Sequence, residues 1–134
     1  MPEHPLTDAE VEAVARFRLA LRRFEARTEV LVRGCGLTPQ RYVLLLAVRA
    51  AGQMTVSEIA AALEMPQTTV TDLVARAADA GLLAKTVAEH DRRVVHCTLT
   101  GEGELRLARA VRALAEERAM LAQALDDAAQ LHPV

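Results

Sequence analysis

Between Thr55 and Thr100 the chain carries two short amphipathic helical patterns, a turn and two β-prone runs, a succession that leaves few folds open. Thr55-Val56-Ser57-Glu58 sets a hydroxyl at a helix N-cap and a carboxylate three residues on. Each can then satisfy a backbone N–H that the first helical turn leaves orphaned. Met54 before the cap and Ile59 after it add a hydrophobic staple. Ile59, Ala60 and Leu63 share one face, and this helix ends near Glu64-Met65-Pro66. Val70, Leu73, Val74 and Ala77 then recur at the i, i+3, i+4, i+7 spacing of a second helix with one buried side. Gly81 stops it, where a left-handed backbone costs little. The pattern predicts a helix-turn-helix.

The outward face of the second helix suggests what the unit is for. Thr68, Thr71, Asp72, Ala75, Arg76 and Asp79 fall away from or beside its buried stripe. Thr68, Thr69 and Thr71 are the residues expected to position the helix on DNA, with Arg76 reaching a phosphate or a base edge. Small hydroxylated residues near its start allow close approach to a DNA groove, and backbone N–H groups there favour phosphate. Leu82 to Val87 and Val94 to Leu99 then bracket Ala88-Glu89-His90-Asp91-Arg92-Arg93. That bracket is a hairpin with a basic tip. By itself it is a solvated charge run; directly after a helix-turn-helix it reads as a wing that lies against the duplex.

The stretch Leu63 to Gly101, with Thr68-Thr69-Val70-Thr71, Arg76, Gly81-Leu82, Asp91-Arg92-Arg93 and Leu99-Thr100-Gly101, resembles the MarR family of winged-helix transcriptional regulators. Gly36-Leu37-Thr38-Pro39-Gln40 matches that family's entry to its second helix. The resemblance implies a homodimer on a pseudo-palindromic duplex, usually a repressor, released by a small molecule or an oxidant. It implies Arg93 as the residue entering a minor groove, with Arg92, His90 and Lys85 nearer the phosphates. Three positions depart from the family pattern. Glu64 stands where the turn commonly has Gly, so a left-handed backbone there costs about 1–2 kcal/mol. Pro66 replaces a capping Ser and offers no side-chain cap. Asp72 replaces a frequent basic residue; it repels phosphate but can pair with Arg76 one turn later.

The fold implied is mainly α: a winged helix-turn-helix with a two- or three-stranded β-wing, flanked by N- and C-terminal dimerisation helices. As a single domain over 1–134, it places these helices at 8–33 and 101–131 and the DNA-binding lobe at 37–100. Leu6-Thr7-Asp8-Ala9-Glu10-Val11 forms a second capping box with a staple, opening a helix from about Asp8 to Arg33. Phe17, Leu21, Phe24, Thr28 and Leu31 recur along it at coiled-coil-like spacing. After Gly34-Cys35-Gly36, Thr38 caps a helix with Pro39 at its first position. Tyr42, Val43, Leu45, Leu46 and Val48 make that helix heavily buried, and Ala51-Gly52-Gln53 ends it. Thr100 caps one last long helix, whose seam is Leu107, Val111, Leu114, Leu121 and Leu125; Asp126-Asp127 and Pro133 close the chain.

Composition leaves the partner open. The net charge of -2 does not advertise a nucleic-acid binder, yet a local basic patch acts within about 10 Å of a phosphate at moderate salt. Aromatic content of 2% argues against a stacking platform for single strands. The N-terminus has no signal-peptide pattern and no apolar run reaches a membrane span, so a cytoplasmic protein is expected.

Nothing in the chain reads as an enzyme or a cofactor site. His4, His90, His96 and His132 are scattered, without ligand or triad spacing. Cys97 alternates with Val95 and Leu99 on the inward face of its strand and reads as core. Cys35 lies at the end of the first helix, and a redox sensor built on it is one alternative reading. A winged helix used for protein contact alone is another, favoured by Asp72 and Asp79 on the exposed face. The resemblance puts a small effector, of which an aromatic acid is one candidate, near Arg16 to Thr28, Tyr42 and the start of the last helix.

Overall fold

The computed structural model describes residues 3–131; His132 and Pro133 lie outside the described residues. The elements are α1 (Asp8–Gly34), α2 (Pro39–Ala51), β1 (Met54–Thr55), α3 (Val56–Leu63), α4 (Gln67–Asp79), β2 (Leu83–Val87), β3 (Val95–Leu99), α5 (Gly101–Ala113) and α6 (Ala115–Ala129). The fold is mainly helical with one small antiparallel sheet, a winged helix-turn-helix flanked by helices. It divides into two compact units: residues up to Leu31 together with those from Ala113, and Val32–Arg112.

In the second unit, Thr38 caps α2 by accepting from the Arg41 N–H at 3.1 Å, with Pro39 in the first turn. The inward face of α2 is Tyr42, Leu44, Leu45 and Val48. Val43 and Leu46, expected in that set, are 47% and 37% exposed, whereas Leu44 is fully buried. The run is apolar at nearly every position, so periodicity alone could not choose its inner face. Gly52, at φ 84°, ends the helix in a backbone conformation that suits glycine.

Met54 and Thr55 do more than introduce α3. As β1 they pair with Cys97 and His96, which makes β3 the central strand of three in the order β1-β3-β2. Thr55 then starts α3: its N–H donates to Glu58 Oε1 at 2.9 Å, and the Glu58 N–H donates to Thr55 Oγ1 at 3.2 Å. The predicted box is complete, and these bonds hold the Glu58 carboxyl below the usual range. Ile59, Val70, Val74, Ala77, Leu82 and Cys97 are fully or almost fully buried at the centre of this unit.

Thr100 joins α5 to the turn after α4. Its hydroxyl donates to the Gly81 carbonyl at 2.6 Å and accepts from the Gly103 N–H at 3.0 Å, while its own N–H donates to the Leu82 carbonyl at 3.1 Å. Gly103 is buried against that same carbonyl, so closely that a Cβ would collide with it. Glycine here is a packing requirement.

In the first unit, Thr7 and Glu10 form the second capping box, with Glu10 N–H to Thr7 Oγ1 at 3.1 Å and Thr7 N–H to Glu10 Oε1 at 3.4 Å. The accompanying staple covers little, since Leu6 and Val11 are 76% and 50% exposed. Phe17, Leu21, Phe24, Thr28 and Leu31 are each half-buried, as their spacing requires. Arg27 pairs with Glu117 at 3.5 Å and Arg16 approaches Asp127 at 4.0 Å. The pairs run in opposite order along the chain, so α1 and α6 are antiparallel there.

The single last helix is corrected to two. The break falls at Leu114, with φ −95° and ψ 7°, inside the strongly helix-favouring run Ala113-Leu114-Ala115. No local breaker explains it; the accompanying tertiary feature is the complete burial of Leu114.

Candidate nucleic-acid interface

Two features set the start of α4, the helix expected to read DNA. Glu64 adopts φ 54° and ψ 47°, the left-handed conformation foreseen at the turn, and its N–H bonds back to Ala60 and Ala61. Such a residue bears a steric cost of about 1–2 kcal/mol that glycine would not. Pro66 occupies the N-cap without a side-chain bond. The missing cap is offset by a contact the sequence did not reveal: Gln67 Nε2 donates to Ser57 Oγ, which ties the first residue of α4 to the first turn of α3.

The α4 surface is as its spacing predicts. Val70, Leu73, Val74 and Ala77 are buried, and Thr68, Thr69, Thr71, Asp72, Arg76 and Asp79 lie outside that stripe. No acidic residue lies in its first turn, so its positive dipole end is unopposed. Arg76 does not stand alone: its Nε lies 3.0 Å from Asp72 Oδ2, one turn earlier. Both side chains are about two-thirds exposed, which makes this a weak surface pair.

The wing is the β2–β3 hairpin, with Leu83 opposite Leu99 and Lys85 opposite Cys97. Its tip closes through Ala88 N–H to Val94 O at 2.9 Å and Val94 N–H to Asp91 O at 3.0 Å. Asp91 holds Arg93 three ways. Oδ1 accepts the Arg93 backbone N–H at 3.0 Å and its Nε at 3.2 Å, and Oδ2 accepts Nη2 at 3.4 Å. These bonds, the backbone one first, lower the Asp91 pKa below the usual carboxylate range. The Arg93 side chain remains 92% exposed. Lys85, His90 and Arg92 are exposed, with no side-chain hydrogen bond or ion pair among the described residues.

The two cysteines differ in setting. Burial pushes the Cys97 thiol up, as suits an inert core residue. Cys35 is half-buried and free. Among the described residues no group of His, Cys, Asp and Glu could hold a metal ion, and no helix is long and apolar enough to cross a membrane. Sequence reading also passed over Arg106. Its Nη1 donates to the Gly36 carbonyl at 2.9 Å while its Nε meets Glu102 at 2.8 Å, fixing α5 against the turn before α2.

Residues 36–94 match the MarR family model. The chain is 35% identical over 71 residues to the HTH-type transcriptional repressor MdtR of Bacillus subtilis; the match covers 53% of this chain and 46%, about half, of that relative. A cysteine-to-serine mutant of E. coli MarR, solved with operator DNA, superposes with a TM-score of 0.74 over 96% of this chain and 94% of that one, at 16% identity. Bordetella bronchiseptica BpsR, whose structure concerns regulation of DNA binding by 6-hydroxynicotinic acid, is 27% identical, with a TM-score of 0.61 and coverage of 75% on both sides. By these matches residues 36–94, which hold the helix-turn-helix and most of the wing, are similar to the MarR family, and the described chain shares the fold of solved MarR-type structures.

Proposed function

We propose that the chain binds double-stranded DNA in the cytoplasm as a homodimer and represses transcription from a pseudo-palindromic operator. The observation that carries this is the wing. A carboxylate grips one guanidinium through its backbone and side chain, leaving that arginine exposed at a hairpin tip beside two further basic residues. A solvated charge run has no need of such pre-orientation. An oriented arginine suits a minor groove, whose negative potential rises where A·T-rich sequence narrows it. Thr68, Thr69, Thr71 and Arg76 of α4 face the major groove in this reading, with Lys85, His90 and Arg92 near the backbone.

Repression and DNA binding draw support from relatives: MdtR is a repressor, and the E. coli MarR structure holds operator DNA. Within the first unit, α1 and α6 border an open, mainly apolar cleft of about 450 Å³, lined by Leu19, Phe24, Met120 and Leu121 together with Arg16, Arg23, Glu117 and Asp127. Its apolar walls suit an aromatic ring and Arg23 a carboxylate, while Arg16 is already engaged by Glu12 and Asp127. A small aromatic acid is the effector class we favour, and the DNA binding of BpsR is regulated by one. Tyr42 does not line the cleft.

Selection of bound duplexes from a random pool tests the reading. A palindromic consensus supports it. Absence of enrichment at low salt would reject it in favour of a protein-contact module.

A further inference from the structure

Beside the exposed face of α4 lies a basic cleft that reaches onto the start of α2. Its volume is about 310 Å³, and its walls carry Arg33, Arg41 and Arg76 with Thr38 and Gln40, and no carboxylate. Arg33 ends α1, Arg41 lies in the first turn of α2, and Arg76 projects from α4. Arginines of α1, α2 and α4 thus line one hollow. Arg41 is half-buried, its backbone fixed by the Thr38 cap, and no carboxylate pairs with it among the described residues. Among the described helices, only α2 and α4 lack an acidic residue in the first turn; α1, α3, α5 and α6 each carry at least one. These two helices also wall the cleft.

We infer that this cleft receives a backbone phosphate of the bound duplex, with Arg41 as its principal ligand and Arg76 completing it from the recognition helix. The inference rests on the DNA-binding reading and deepens it by extending the contact surface to α2. A guanidinium supplies several N–H donors in a fixed fork that matches phosphate oxygens. Asp72 Oδ2 lies 3.0 Å from Arg76 Nε, and the Arg76 side chain stays about two-thirds exposed, open to a phosphate as well. Such a contact positions the lobe without reading sequence.

The test is fluorescence-anisotropy titration of an operator and of a scrambled duplex across a range of salt, using the full chain. Arg41→Ala should weaken both duplexes alike, by about tenfold at low salt, and make the slope of log K against log salt shallower by about 0.9 per lost phosphate contact. Arg41→Lys should retain most of the slope, since the charge remains. Arg49→Ala removes the same charge at the other end of α2, where Arg49 pairs with Glu104, and should leave the slope unchanged. Circular dichroism on each variant confirms that it is folded. If the unmodified chain binds duplex but Arg41→Ala keeps its salt slope, the cleft assignment is wrong. An equal slope change in Arg49→Ala also refutes it, by showing a general charge effect. Failure of the unmodified chain to bind any duplex removes the DNA-binding reading, and this inference with it.

Discussion

Asp91 holds the Arg93 guanidinium from one side, Oδ1 to Nε at 3.2 Å and Oδ2 to Nη2 at 3.4 Å, while the arginine remains 92% exposed. The pair therefore orients a cation without burying it. Simple electrostatics says that deleting Asp91 should tighten DNA binding; an orienting role says the reverse. Asp91→Ala is expected to weaken binding, and an anisotropy titration showing higher affinity would reduce the wing to a plain basic patch. Arg93→Ala should lose more affinity for A·T-rich than for G·C-rich flanks. Arg92→Ala should weaken both similarly and reduce the salt slope by about 1.

Arg76 pairs with Asp72 on the face of α4 proposed to meet DNA. Replacing it by Ala should lower affinity for specific and scrambled duplexes to the same degree, with a shallower salt slope, if it serves a phosphate. A base contact would instead be worth about 1–3 kcal/mol and its loss would relax sequence preference. Unchanged affinity and slope would mean that the Asp72 pair is its whole role.

Gly103 lies against the Leu82 carbonyl, a backbone atom that cannot swing aside as a side chain can. Gly103→Ala should therefore destabilise the Val32–Arg112 unit by about 1–3 kcal/mol, toward the upper end of that range. Urea denaturation gives the value. A change within about 0.5 kcal/mol, the ordinary scatter of surface substitutions, would show that α5 can shift freely.

The Thr55–Glu58 box predicts a pH effect of defined sign. Hydrogen bonds from Thr55 hold the folded Glu58 pKa below its ordinary 4.5. Its contribution is thus present above pH 4.5 and is lost as pH falls through the lower folded value. Melting curves from neutral pH down through that range should show a steeper loss for the unmodified chain than for Glu58→Gln, which still caps but does not titrate. Thr55→Ala should cost about 1 kcal/mol at neutral pH.

For the proposed dimer, exposed apolar side chains on the terminal helices are the relevant surface: Leu19, Met120 and Leu125 are 67%, 54% and 52% exposed. Leu121→Asp combined with Leu125→Asp is expected to give monomers that bind DNA poorly. Sedimentation at micromolar concentration decides it. An unmodified chain that stays monomeric with and without DNA contradicts the homodimer.

Local chemistry made much of this protein legible from sequence alone. Capping boxes at Thr7 and Thr55, the N-cap at Thr38, the left-handed Glu64, the capless Pro66 and the Asp72–Arg76 and Asp91–Arg93 pairs each involve residues no more than four apart. Over such spans backbone geometry fixes which atoms can meet, so spacing suffices. What the sequence left undecided depends on distant segments. Met54-Thr55 becomes a strand only because β3 lies beside it, and Leu44 rather than Val43 turns inward because the core lies on that side. The Gly103–Leu82 approach, the Arg106–Gly36 bond and the gathering of Arg33, Arg41 and Arg76 follow the same rule. Their partners lie far along the chain or on other elements, where periodicity carries no information about contact. Only the packed chain brings them together.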